Sequence, residues 1–265
     1  GRSLLTDPDI ALKVQRGECI RECLNCNKGC VDAIQNRKYI SCVLNAENGN
    51  EATMSIKKTD APKNVVVIGG GIAGLEAARV AAIKGHHVTL FEKENKLGGQ
   101  INIAAVPPRK SEILRSVEYY EKILPTLNVD IHLNEEVKDI NNYDYALLAI
   151  GAHNMEMPIP HKESNIVSSW DVLNGQEVQG ACVVIGGGLV GAETAEYLAN
   201  KGHQVTIVEM MDKIAAGEST TVLPLMMKDF ESHGVKQYVN TKVDHIENNI
   251  VYTEDKEIKA DTIVN

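Results

Sequence analysis

The chain has 265 residues, of which 43% are hydrophobic and 24% charged, the profile of a globular protein of about two domains. Thirty-six acidic residues against 27 basic ones give a formal net charge of −9, and aromatic residues reach only 4%. That balance argues against the basic surface and the base-stacking platform that a nucleic-acid partner would need; no apolar run reaches the roughly 18 residues of a membrane-spanning helix.

Residues 1–50 read as loop-rich. They open on Gly1-Arg2-Ser3-Leu4-Leu5-Thr6-Asp7-Pro8, with neither an initiator Met nor the apolar core of a signal peptide, which suggests a cut inside a longer chain. Five of the six cysteines fall here, and Cys23, Cys26, Cys30 and Cys42 follow C-x2-C-x3-C-x11-C. A disulfide framework does not suit a chain whose remaining length holds only Cys182, so a metal centre is the better reading. Zinc accepts four cysteines, though usually as two paired knuckles. Three crowded cysteines with the fourth set apart come closer to iron–sulfur ligation, and spacing alone leaves both open. Asn25, Asn27 and Gly29 tolerate tight turns that aim N–H groups at sulfur. Cys19 and Cys182 read as packing thiols.

Residues 51–63 are polar and read as a linker. Beyond them the chain contains an internal repeat: residues 66–92 and 183–209 align without a gap at an offset of 117, with 16 identities in 27 positions. Each copy runs from a β-branched strand through G-x-G-x-x-G and an Ala-rich helix into a second strand ending in an acid, which is a βαβ dinucleotide-binding unit. Gly69 and Gly186 supply the tight turn. Gly71 and Gly188 let backbone approach a pyrophosphate at the helix N-terminus. Gly74 and Gly191 let helix and strand pack closely, and Glu92 and Glu209 are placed to accept from a ribose diol. Two such sites imply two cofactors and electron transfer between them. Glu209 is followed by Met210, Met211 and Asp212, with no Arg for a 2′-phosphate, which favours NADH over NADPH.

Between the copies, a helix is predicted over 111–124 and strands over 129–133 and 145–150, the last ending at Gly151. Residues 152–180 read as a crossover. A helix over 221–233 and short alternating strands around Asn248-Asn249 follow, and the chain ends within a strand at 261–265. The fold class is α/β, two Rossmann-like units behind a loop-rich cysteine segment. The expected domains are 1–50, a linker at 51–63, a first nucleotide unit at 64–155 and a second at 156–265.

Together these residues resemble the C-terminal part of the flavin enzymes that include 2,4-dienoyl-CoA reductase and trimethylamine dehydrogenase. That family joins an FMN-bearing barrel of the old yellow enzyme type to a four-cysteine [4Fe–4S] loop and a two-dinucleotide module. The resemblance covers essentially the whole chain. It implies that Cys23, Cys26, Cys30 and Cys42 hold a [4Fe–4S] cluster, and that Gly1 and Arg2 contact an FMN phosphate in a barrel absent from this chain. It assigns Gly69, Gly71, Ala73, Gly74, Glu92 and Gln100 to FAD, with Arg109 and Val137 as further contacts. Gly186, Gly188, Gly191 and Glu209 are assigned to NADH or NADPH. In trimethylamine dehydrogenase the first unit holds ADP, an alternative that applies here too. The segment that closes over the flavin in the family, with its Gly-Asp motif, lies beyond the last residue of this chain.

The function implied is passage of electrons from NAD(P)H through FAD and the cluster to an FMN that reduces an unsaturated small molecule such as an enoyl-CoA, with no catalytic side chain in this chain. A disulfide reductase needs a dithiol beside the flavin, and no cysteine lies between Cys42 and Cys182. A glutamate synthase-like flavin module would carry more cysteines. A nucleotide-binding structural domain with a four-cysteine zinc loop would be colourless. A cytoplasmic location is expected, with a small-molecule substrate, no membrane partner and room for a homo-oligomer.

Overall fold

The computed structural model describes all of Gly1–Asn265. It divides into two compact units: Gly1–Ala105 with Glu112–Ala152, and Val106–Ser111 with His153–Asn265. The boundary at 152/153 lies three residues from the expected one. The six-residue excursion at 106–111 carries no periodicity that would reveal it in the sequence.

The first unit begins with short helices α1 (Arg2–Thr6), α2 (Ile10–Arg16), α3 (Val31–Gln35) and α4 (Glu51–Met54), so the loop-rich segment and the linker both contain helical turns. The nucleotide fold follows as β1 (Asn64–Ile68), α5 (Ile72–Ile83), β2 (His87–Glu92), α6 (Ile101–Ala104), α7 (Leu114–Thr126), β3 (Asp130–Leu133) and β4 (Tyr145–Leu148). The strands form a parallel sheet in the order β3-β2-β1-β4. Val65, Val66 and Val67 are all buried in β1, as a parallel strand covered on both faces requires. Leu75 and Ala78 of α5 and Val117, Tyr120 and Leu124 of α7 pack with this sheet in one core. α7 starts after a 3₁₀ turn at Ser111–Ile113 and ends at Thr126, and Asn128 just beyond it takes a left-handed φ of 56°.

The second unit contains β5 (His161–Lys162), β6 (Ile166–Val167), α8 (Ser169–Leu173), β7 (Cys182–Ile185), α9 (Leu189–Asn200), β8 (Val205–Val208), α10 (Leu223–Ser232), β9 (Lys236–Tyr238), β10 (Val243–Glu247), β11 (Ile250–Thr253), β12 (Glu257–Lys259) and β13 (Thr262–Val264). Its main sheet, β6-β13-β7-β8-β9, is parallel throughout. A second sheet, β12-β11-β10-β5, is built on two antiparallel pairings. Asn248 and Asn249, with φ of 50° and 60°, make the two-residue turn between β10 and β11. α8 carries a side-chain cap, Ser168 Oγ accepting from the Asp171 N–H at 3.1 Å.

Candidate dinucleotide and cysteine sites

In each unit the glycine turn has the backbone shape that the motif requires at its first and third glycines. Gly69 and Gly186 have φ of +106° and +94°, open only to glycine at low cost. A Cβ on Gly74 would stand 1.9 Å from the Gly69 carbonyl oxygen, and one on Gly191 the same 1.9 Å from that of Gly186. Gly71 and Gly188 differ: their φ values of −71° and −63° suit any residue, and a Cβ there meets nothing within 4 Å. Nothing in the protein demands glycine at these two positions. A phosphate brought against the backbone at the N-termini of α5 and α9 does, so the residues fit a dinucleotide.

The two acids are buried at the ends of β2 and β8. Glu92 accepts from the Gly70 N–H at 2.6 Å and the Glu94 N–H at 2.9 Å. Glu209 accepts from the Gly187 and Met211 N–H groups, both at 2.6 Å. Each carboxylate therefore braces its own glycine turn and keeps lone pairs for a ribose. The equivalence continues past the matched sequence: the Gly98 N–H donates to the Gly70 carbonyl at 2.9 Å, and the Ala215 N–H donates to that of Gly187 at 2.7 Å.

The remaining expected contacts of the first site are dispersed. Ala73 is exposed on the first turn of α5. Gln100 follows the Gly98-Gly99 turn and donates through Nε2 to the Ala152 carbonyl at 3.3 Å. Val137 lies in the loop after β3, which is held beside Glu92 by the Glu135 N–H donating to the Glu92 carbonyl at 3.0 Å. Arg109 falls in the second unit. It belongs to the 106–111 excursion and pairs in the second unit with the buried Glu196 of α9 and with Asp229 of α10. Its φ is 63°. Beside it Lys110 pairs with Glu193 and Glu218. Burial pushes the Glu196 carboxyl up, and Arg109 opposes this.

The four cysteines at 23, 26, 30 and 42 line one cavity, together with Arg2, Leu5, Thr6, Asn27, Gly29 and Ser41. Asn25 and Asn27 take φ of 54° and 59°, and the Asn25 N–H points at Cys23 Sγ from 3.4 Å. The Ser41 N–H donates to the Gly29 carbonyl at 2.7 Å, and a Cβ on Gly29 would stand 2.5 Å from the Ser41 carbonyl oxygen. Glycine is thus the residue that lets the Ser41-Cys42 segment approach Cys30. Arg2, next to Gly1 at the start of α1, bonds through its guanidinium to the Asn27 side chain. Burial pushes the Cys26 thiol up, and the Cys30, Cys42 and Cys23 charges add to the rise. A bound cation centre would reverse that preference and hold thiolates. No three His, Cys, Asp or Glu side chains are grouped to hold a single metal ion. Sequence reading missed Thr6 and Arg115, whose bonds to this loop cross 36 and 92 residues, and Arg21, which is tied to Asp7 and Thr6 across 14 and 15 residues; none leaves a local pattern.

A sequence profile of the pyridine nucleotide-disulphide oxidoreductase family matches residues 63–265. The chain belongs to this family. Bilirubin reductase of Mediterraneibacter gnavus is 53% identical over 98% of this chain and 42% of its own length. Cinnamate reductase of Clostridium sporogenes is 42% identical over 81% of the chain and 33% of its length. The solved 2-naphthoyl-CoA reductase complex superposes with a TM-score of 0.90 at 26% identity, over 99% of this chain and 42% of that one. The chain thus spans less than half the length of these relatives. The resemblance to flavin oxidoreductases and the doubled dinucleotide-binding fold are borne out, with FAD and NAD(P)H as the family's cofactors. The disulphide chemistry in the family's name has no dithiol between Cys42 and Cys182 here. No helix is long and apolar enough to cross a membrane.

Proposed function

We propose that this chain is the electron-delivering part of an iron–sulfur flavoprotein reductase, holding FAD in the first unit, NAD(P)H in the second and a [4Fe–4S] cluster on Cys23, Cys26, Cys30 and Cys42. When bound, the flavin supplies the exchange between a hydride pair and single electrons that a cluster needs. The observation that carries the reading is that the cysteine cavity and the first glycine turn belong to one compact unit. Gly71 and Gly188 admit the pyrophosphates, Glu92 and Glu209 hold riboses, and Gln100 and Val137 border the first nucleotide.

The thiol arrangement favours a cluster over zinc. Three cysteines crowd within eight residues with the fourth set apart, which is closer to iron–sulfur ligation than to the two paired knuckles usual for structural zinc. At the second site Met210 and Met211 are 65% and 59% exposed beside Glu209 and offer no cation to a 2′-phosphate, which supports NADH. The reaction served is reduction of a conjugated substrate at an FMN elsewhere in the full protein, an enoyl-CoA being the class the resemblance names. Bilirubin, cinnamate and 2-naphthoyl-CoA, in the relatives' names, are all conjugated compounds.

An anaerobic visible spectrum of the chain, reconstituted with FAD, iron and sulfide and titrated with NADH, tests this. Bleaching of the flavin band and the broad cluster absorbance is expected, with iron and acid-labile sulfide in equal amounts. A colourless protein containing zinc would overturn it in favour of an ADP-binding structural domain.

A further inference from the structure

Thr6 has a place in the cysteine site that the cysteine motif does not account for. It is 1% exposed, its side chain lines the cavity, and its Oγ1 stands 3.5 Å from Cys42 Sγ. The same hydroxyl lies 3.3 Å from the Arg2 carbonyl oxygen, one helical turn back in α1. Its position is held from both sides of the cysteine set. Arg21, two residues before Cys23, donates through Nε to the Thr6 carbonyl at 2.9 Å. Asn45, three residues after Cys42, donates through Nδ2 to the Leu5 carbonyl at 2.9 Å. Asn45 and Arg21 are themselves buried. The end of α1 is therefore pinned to the turn segment carrying Cys42 and to the segment carrying Cys23, and the hydroxyl has two acceptors in reach, a neutral carbonyl and a sulfur.

We infer that the Thr6 hydroxyl donates to the Cys42 sulfur when Cys42 is a cluster ligand, and that this bond raises the reduction potential of the cluster. The inference rests on the cluster reading above. A thiolate ligand is a stronger acceptor than a thiol or a neutral carbonyl, because a charged acceptor strengthens a hydrogen bond. Adding one electron to the cluster increases negative charge on its sulfurs, so the bond is stronger in the reduced state and favours reduction; hydrogen bonds to sulfur are among the levers on such potentials. Thr6 acts through Cys42, as a positioning residue.

The experiment compares the reconstituted full chain with Thr6→Val, which keeps the shape and removes the hydroxyl, and Thr6→Ser, which keeps the hydroxyl. Iron and sulfide are assayed first, and the cluster is then titrated with dithionite, the reductant supplying one electron per cluster, while the reduced state is followed by electron paramagnetic resonance. At a fixed potential Thr6→Val should show a roughly three- to tenfold lower reduced-to-oxidised ratio than wild type, tenfold being about 59 mV for a one-electron couple. Thr6→Ser should stay with wild type. The signal is normalised to full reduction, so a partly loaded variant is still read, and Thr6→Ala replaces Thr6→Val if the valine form holds no cluster. A loaded Thr6→Val at the wild-type potential overturns this inference alone, as does a serine variant that shifts with it. A wild-type chain that holds no iron overturns the cluster reading and the inference together.

Discussion

The guanidinium of Arg115, on the first turn of α7, donates to the carbonyl oxygen of Cys23 at 3.1 Å. Arg115 also pairs with Glu112 at 3.1 Å, and Glu112 accepts from the Asn25 side chain at 2.9 and 3.1 Å. The cysteine loop is therefore fastened to a helix of the nucleotide fold. Arg115→Met should loosen residues 22–27 by about 1 kcal/mol, the usual worth of such a bond, which is roughly fivefold in opening. Amide exchange measured residue by residue should accelerate there and remain unchanged in β1 and β2.

Gly71 and Gly74 should separate binding from folding. Gly71→Ala places a methyl where no protein atom lies within 4 Å, so the melting temperature of the ligand-free chain should move little, while FAD affinity falls by an order of magnitude or more. Gly74→Ala drives a methyl to within 1.9 Å of the Gly69 carbonyl, and overpacking of this kind costs about 1–3 kcal/mol. Calorimetric titration and thermal melting of both variants distinguish the two effects.

Gly29→Ala should part the two segments of the cysteine cavity, because its methyl would meet the Ser41 backbone. Iron bound per chain is expected to fall well below that of wild type, with nucleotide binding retained in both units. Full iron content in this variant would show that Cys42 reaches the centre by another route.

Asp7 is 1% exposed and takes Lys13 Nζ at 2.8 Å on both oxygens and the Arg21 N–H at 3.0 Å. Burial alone would raise its pKa; Lys13 and the Arg21 N–H outweigh that and hold the carboxyl below its ordinary range. Because the folded state binds the proton less readily than the unfolded chain, the stabilisation is complete above about pH 4 and is lost as pH falls through the folded value. Asp7→Asn should be less stable than wild type at neutral pH by about 1–3 kcal/mol. Urea midpoints of the two should converge in stronger acid.

Arg109 pairs with a Glu196 carboxylate that has almost no access to water. Removing one partner of such a pair typically costs about 3–5 kcal/mol, and removing both costs far less. Arg109→Leu should destabilise the second unit by that order, and the double variant with Glu196→Leu should recover most of it. FAD affinity should be unaffected by either; a specific loss of FAD binding in Arg109→Leu would restore Arg109 to the first site.

The glycine turns, the terminal acids and the left-handed Asn25 and Asn27 were legible because each is dictated by backbone conformation within a few residues. The helix over 111–124 and the strands over 129–133 and 145–150 were found to within a few residues for a similar reason, since their periodicity is local. The placement of Arg109 was not legible: Glu196 and Asp229 lie 87 and 120 residues away, and Pro107-Pro108-Arg109-Lys110 reads as an ordinary turn. The contact between Leu97 and Gly70, matched by that between Ile214 and Gly187, also escaped the sequence comparison. The side chains there differ between the copies, Leu97 against Ile214, while the backbone bond is the same.

That persistence makes each copy of the repeat a reference for the other. Positions separated by 117 residues share the bonds Gly69 N–H to Phe91 and Gly186 N–H to Val208, at 2.8 and 2.9 Å, and share the 1.9 Å approach at Gly74 and Gly191. A substitution made in both copies meets the same scaffold twice. Equal losses then measure the common architecture inherited by both halves, and any difference between them measures the nucleotide that each half has come to hold.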